Sequence, residues 1–152
     1  MDELILIQDD QATLRLDLVD AESRLPSSCF NVHFVWQMPH EQIEMKRKEV
    51  WFEDGTLEEF ERSLTEMTEG KKDEIALQDM SLRPLISIVK KDEGIKIRIH
   101  SKDLSNMGEM LFEWSAYPQE IEEIRTRLKD YPAWWRSKEV SGHYSGGCAP
   151  SA

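Results

Sequence analysis

The alternation of apolar and polar residues in short stretches constrains this chain more than any other feature of its sequence. Residues 13–18 alternate strictly, and a second run places four large apolar side chains on one side of the backbone: Phe30, Val32, Phe34 and Trp36. A two-residue period is typical of β-strands with one buried face. Polar or glycine-containing segments at residues 8–11 and 90–94 separate such runs, which predicts hairpins.

Eight stretches are predicted to be strands, some from alternation and others from short apolar runs. Strands are predicted over residues 4–7, 13–18, 30–36, 43–52, 74–77, 85–89, 95–99 and 110–114. A segment that contains Leu25-Pro26-Ser27-Ser28 is predicted to be a loop between the second and third strands.

Two amphipathic helices are predicted, one in each half of the chain. In each, four apolar residues recur at spacings of three, four and three, which places them on one helical face: Leu57, Phe60, Leu64 and Met67 in the first, and Ile121, Ile124, Leu128 and Tyr131 in the second. Thr56 and Glu59 match a capping box at the start of the first helix, and Gly70 matches its end. Pro118 suits the first turn of the second helix.

The sequence therefore predicts an α+β fold, with antiparallel β-sheet built from hairpins and two amphipathic helices. Each half of the chain is predicted to contain, in this order, a hairpin, further strands, an aromatic–Glu step (Phe52-Glu53, Phe112-Glu113) and one helix. This parallel fits an internal pseudo-repeat from duplication, and it equally fits any chain of hairpins and helices. Residues 1–136 are predicted to form a single domain.

The remaining residues, 137–152, are predicted to be a flexible C-terminal tail, since they lack a hydrophobic period. The tail carries Cys148, which is the fifth residue from the end and so does not fit a prenylation motif. Cys29, next to an apolar strand, is predicted to be a packed thiol.

Charge restricts the classes of partner. The chain has 19 Lys and Arg against 30 Asp and Glu, for a net charge of −11. This charge disfavours binding to nucleic acid and to anionic membrane surfaces. It favours either simple solubility or the attraction of a basic protein. No apolar run approaches the roughly 20 residues of a membrane helix, and the N-terminus is acidic where a secretory signal would be basic, so a cytoplasmic location is expected.

Motifs for catalysis, cofactors and metals are not found in the sequence. No two of His33, His40, His100 and His143 stand at metal-ligand spacing, and the two cysteines do not form a CxxC pair. The phosphate-binding loops and the nucleophile elbow are missing as well. We therefore expect a protein that is not an enzyme and has no cofactor and no metal. The alternative is a small-molecule binding or hydrolytic domain, with a pocket between sheet and helices that contains His33, Arg98 or His100.

Two segments are candidates for contact with a protein partner. The first is the outward face of the first helix, with Glu58, Glu59, Glu61 and Glu66, which would suit a basic partner or be a solvated face. The second is the pair Trp134 and Trp135, which would be either interface anchors or packed against the sheet. A monomer and a homodimer, joined through sheet edges or these tryptophans, are both compatible with the sequence.

The order of these motifs resembles a known family. The residues that carry the resemblance are the strand end Val50-Trp51-Phe52-Glu53, the helix LEEFERSLTEM, the link to Ala76-Leu77, the hairpin LISIVKKDEGIKIRI, the strand Leu111-Phe112-Glu113-Trp114 and the helix IEEIRTRLKDY. In this order, over about residues 4–131, the chain resembles the WapI family of bacterial immunity proteins. The resemblance implies an antidote without catalytic residues that binds and neutralises a cognate toxin domain. It transfers no contact residue to this sequence.

Overall fold

A computed structural model describes residues 3–102 and 107–132 of the chain. It contains two four-stranded antiparallel sheets and two helices, so the predicted α+β class is confirmed. The first sheet has the order β1 (Glu3–Gln8), β2 (Ala12–Glu22), β3 (Ser27–Gln37) and β4 (Gln42–Glu53), and helix α1 (Asp54–Thr68) follows. The second has the order β5 (Glu74–Gln78), β6 (Pro84–Lys91), β7 (Gly94–Lys102) and β8 (Glu109–Ala116), and helix α2 (Pro118–Asp130) follows.

The turns between strands use the chemistry that their sequences predict. In the β1–β2 turn, the Asp9 carboxylate accepts hydrogen bonds from the backbone N–H groups of Gln11 and Ala12, both at 2.8 Å. Such side-chain acceptance stabilises a tight turn. In the β6–β7 turn, Gly94 has a φ of +129°, which a residue with a Cβ rarely adopts. Both predicted hairpins are therefore present.

The two sheets pack against each other through aromatic side chains. The Phe34 ring on β3 stacks on the Trp114 ring of β8 with centroids 5.9 Å apart, and Trp36 lies 4.9 Å from Phe112. These residues belong to one continuous core that also takes in the apolar faces of both helices. The alternating residues of the two sheets thus place their apolar side chains in the shared core.

The helices lie at the sheet edges and contact each other. Helix α1 packs against β5 and α2 packs against β1. The predicted apolar stripes are buried: Leu57, Phe60, Leu64 and Met67 on α1, and Ile121, Ile124, Leu128 and the following Tyr131 on α2. Gly70, with a φ of +78°, follows the end of α1 as predicted.

The capping box predicted for α1 is wrong. The helix begins at Asp54, so Thr56 is its third residue and does not cap it. Asp54 is held in this place by β3 and its loop, because Ser28 Oγ donates to Asp54 Oδ1 at 2.8 Å and the Asp54 N–H donates to the Pro26 carbonyl at 2.9 Å. The acidic side chain also suits the positive end of the helix dipole. A tertiary contact therefore overrides the local motif.

Both halves follow the same plan, a four-stranded meander and then one helix, which makes an internal repeat plausible. The aromatic–Glu steps are not equivalent positions, however. Phe52 pairs with Ser28 near the end of β4, two residues before its helix, whereas Phe112 pairs with Ile99 within β8, six residues before its helix. The prediction of a loop at Ser27-Ser28 is also wrong, because both residues belong to β3.

Three further predictions concern membrane helices, Cys29 and the C-terminal tail. Within residues 3–102 and 107–132, neither helix is long and apolar enough to cross a bilayer. Cys29 is buried, with 1% of its surface exposed, as predicted for a packed thiol. The tail predicted at residues 137–152, including Cys148, lies outside the described residues.

Candidate functional site

The carboxylates predicted for partner contact on α1 are partly compensated by neighbouring cations. Glu59 is exposed and forms an ion pair with Arg62. Lys72, beyond the end of the helix, lies 3.1 Å from Glu66 and 3.8 Å from Glu59. Lys72 thus lies close to two of the four carboxylates predicted for partner contact on α1. The negative potential of this face is therefore weaker than its composition indicates.

The other predicted contact residues differ in accessibility. Glu58 and Glu61 are half-buried on α1. Trp134 and Trp135 lie outside the described residues. Of the six predicted contact residues, the four that the structure describes lie together on helix α1.

A second acidic surface, which the sequence reasoning missed, is a hollow at one end of the molecule. We call it the acidic–aromatic hollow, and its volume is about 290 Å³. Its lining residues come from the β1–β2 turn, the ends of β3 and β8 and the start of α2: Asp9, Asp10, Gln11, Trp36, Trp114, Ser115, Tyr117 and Glu120. All the charged residues among these eight are acidic.

The hollow is built on groups that the fold holds in place. The rings of Trp36 and Trp114 lie 5.1 Å apart, with Trp114 9% exposed. The Glu120 carboxylate accepts a hydrogen bond from the Tyr117 N–H at 3.0 Å and lies 3.5 Å from the Trp114 indole Nε1. These contacts fix the position of Glu120, whereas Tyr117 is 73% exposed.

This combination of groups suits a cationic side chain. Carboxylates attract a guanidinium or an ammonium group, and aromatic rings bind the same cations over their faces. Exposed tyrosines and tryptophans are also common anchors at protein interfaces. The sequence feature that could have pointed to the hollow is the pair of aromatic residues on each of β3 and β8, Phe34 and Trp36 against Phe112 and Trp114.

The histidines on strands have specific partners. His33 Nε2 lies 2.5 Å from Glu44 Oε2, and this hydrogen bond lowers the pKa of the Glu44 carboxyl. His100 Nε2 lies 2.8 Å from Ser87 Oγ, and burial together with the Arg98 charge lowers the pKa of His100. Arg98 pairs with Glu113 at 2.6 Å. None of His33, Arg98 and His100 lines the hollow.

The Ser87–His100 pair has the spacing of a nucleophile and its base but not their setting. Ser87 is 7% exposed and lies within β6, which is paired with β5 on one side and β7 on the other. The ladders take up the backbone N–H groups around Ser87, whereas acyl transfer needs such groups to stabilise the oxyanion. The described geometry therefore does not favour a hydrolase.

The cleft between β1 and α2 is too small for a ligand, and no metal cluster is found in the described parts of the chain. Where β1 meets α2, the cleft lined by Leu6, Ile97 and Ile124 has a volume of about 10 Å³, which is about the space of one water molecule. No group of three or more His, Cys, Asp or Glu side chains within residues 3–102 and 107–132 is arranged to hold a metal ion.

No protein-family model, no curated protein and no solved structure matches this chain.

Proposed function

We propose that this protein binds a basic segment of another protein through the acidic–aromatic hollow. The observation that carries the proposal is the juxtaposition of Asp9, Asp10 and Glu120 with the rings of Trp36 and Tyr117. A partner arginine or lysine would place its charge among the carboxylates and its stem against the rings.

We further propose that the partner is a bacterial toxin domain, which this protein neutralises without catalysis. The resemblance to the WapI family supports this identification of the partner. The net charge of −11 supports it as well, because an acidic antidote attracts a basic toxin over a long range and accelerates the encounter.

The hollow is a better primary contact than the face of α1. Arg62 and Lys72 compensate carboxylates on α1, whereas no cation lines the hollow in the described residues. The hollow also offers an exposed aromatic side chain, and interface energy is concentrated in such anchors. The α1 carboxylates Glu58, Glu59, Glu61 and Glu66 are assigned to the rim of the interface, where they steer the partner.

The experiment is co-expression with candidate toxin domains from neighbouring genes, followed by calorimetry on the purified pair. We expect protection of growth and a 1:1 complex. Tyr117→Ala should weaken the complex by about 2 kcal/mol, or roughly thirtyfold, as for an interface hot spot. Leu25→Ala is the matched control, since it shortens another exposed apolar residue, 52% exposed, on the β2–β3 connection.

The outcomes test the identity of the partner and the position of its binding site separately. Loss of affinity in Tyr117→Ala alone supports both. An intact complex in Tyr117→Ala that weakens on charge reversal of Glu58 and Glu61 would move the site to α1 and leave the function standing. Absence of both binding and protection would contradict the proposed function itself.

A further inference from the structure

A second groove on this acidic protein is lined by positive charge. Its volume is about 480 Å³, and it lies between β4 and the β7–β8 end of the second sheet. Nine described residues line it: Arg47, Lys48, Val50, Arg83, Ser101, Lys102, Gly108, Glu109 and Met110. Four are cations and one is a carboxylate, in a chain whose net charge is −11. We call it the cationic groove.

The charge at the base of the cationic groove is only partly balanced. Arg47 Nη2 donates to Asp79 Oδ2 at 2.8 Å, and Arg83 Nη2 lies 3.1 Å from the same oxygen. One carboxylate thus serves two guanidinium groups, which leaves an excess positive charge. Burial and the charge of Arg83 lower the pKa of Arg47, an effect that Asp79 only partly offsets.

Arg47 also retains hydrogen-bonding capacity at this place. Its side chain is 7% exposed, yet Nη1 reaches the carbonyl oxygens of Pro84 and His100 only at 3.5 Å. That distance is beyond the usual range for N–H···O hydrogen bonds. A buried guanidinium with weak acceptors gains from an anion that supplies stronger ones.

The backbone beside two of the cations is in a rare conformation. Glu49, next to Lys48, has a φ of +54°, and Leu82, next to Arg83, has a φ of +63°; no other non-glycine residue in the described parts of the chain has a positive φ. Asn31 Oδ1 holds the first by accepting from the Glu49 N–H at 3.0 Å, and Asp79 Oδ1 holds the second by accepting from Ser81 and Arg83 N–H at 2.9 Å. Strained backbone of this kind is concentrated at functional sites.

We propose that the cationic groove binds a phosphorylated small molecule. Arg47 and Arg83 would donate to the phosphate oxygens in the plane of their guanidinium groups, and Lys48 and Lys102 would add point charges at the rim. The volume lies within the roughly 300–1,000 Å³ of small-molecule sites, so the groove has space for a group beyond the phosphate. The net negative charge of the protein disfavours the binding of a nucleic acid, which is a long polyanion.

The experiment titrates the intact protein with pyrophosphate and with ATP at constant ionic strength, followed by calorimetry and amide chemical shifts. We expect dissociation constants of about 1 mM or below, with shifts centred on Lys48, Arg83 and Lys102. Lys102→Gln and Lys48→Gln remove exposed rim charges without touching the buried ion pair, and each should weaken binding by about tenfold. Lys90→Gln, an exposed lysine of the β6–β7 hairpin, is the control for net charge.

Each outcome decides the proposal. Binding that both rim variants weaken and Lys90→Gln spares supports it, with tighter ATP binding indicating a larger ligand and equal affinities indicating a free oxyanion. No saturable binding of either probe would overturn it, as would equal weakening by all three variants, which indicates nonspecific attraction. Binding of a short RNA with neither probe bound would overturn it too.

Discussion

The Arg47 guanidinium and the Asp79 carboxylate form a buried ion pair between the two sheets, with Nη2 and Oδ2 2.8 Å apart and side chains 7% and 3% exposed. Arg47 belongs to β4 of the first sheet, and Asp79 follows β5 of the second. The pair therefore fixes how the sheets meet at the cationic groove, and a buried charge that loses its partner is costly.

Asp79→Ala should lower the free energy of unfolding by about 3–5 kcal/mol, because it leaves Arg47 buried beside a second cation. Asp79→Asn should cost less, since its side-chain oxygen still accepts from the Ser81 and Arg83 N–H groups. Urea unfolding monitored by tryptophan fluorescence measures both variants. A loss below about 1 kcal/mol in Asp79→Ala would show that the pair does not join the sheets in solution.

Ser28→Ala should destabilise the fold by about 1–3 kcal/mol, because it removes the hydroxyl that donates to the buried Asp54 carboxylate. Thr56→Ala is the matched control and should stay within about 0.5 kcal/mol, since Thr56 lies inside α1. Chemical denaturation of the two variants makes the comparison. The reverse ranking would reinstate the capping box at Thr56 and place the start of α1 at Leu57 instead of Asp54.

The sequence alone predicts the strands and helices but not the residue at which α1 begins. Alternating and short apolar runs predicted the strands, and the apolar stripes predicted both helices, because burial acts on residues at a local spacing. The start of α1 could not be predicted, since it depends on Ser28, 26 residues away along the chain. Similarly, β2 continues to Glu22 only because its polar end pairs with Ser27 and Ser28 of β3.

The two concave surfaces were beyond sequence reasoning for the same reason. Asp9, Trp36 and Tyr117 lie far apart in the chain and meet only when the sheets pack. For the cationic groove one signal was present: Arg47 occupies the face of β4 that also carries the buried Met45. A charged residue in an apolar position requires a partner, but the sequence does not say that the partner is Asp79.

Stability should decrease as the pH falls below about 6.5, the ordinary pKa of histidine, because burial and the Arg98 charge lower the pKa of His100 in the folded state. Between the lowered pKa of the folded state and the ordinary value of the unfolded state, the unfolded chain binds more protons, so acid favours unfolding. His100→Gln should reduce this slope. An NMR titration of the ring protons gives the pKa directly, and a value at or above the ordinary one would contradict the prediction.

Cys29 should react slowly with thiol reagents in the native protein. It is 1% exposed, and burial together with the Glu49 and Asp20 charges raises the pKa of its thiol, so little thiolate is present or accessible. The measurement uses a Cys148→Ser background, in which Cys29 is the remaining cysteine, with and without denaturant. Equal rates in both conditions would show that β3 opens readily around this residue.

The proposal that a basic partner docks at the acidic–aromatic hollow is tested by the association rates of this protein with the proposed toxin partner. Asp10→Lys reverses a charge at the hollow, and Asp20→Lys makes the same change near the opposite end of β2, roughly 30 Å away by strand geometry. We predict that Asp10→Lys slows association at low salt by about tenfold, that Asp20→Lys has a smaller effect, and that added salt removes the difference. Equal rates for the two variants would contradict the claim.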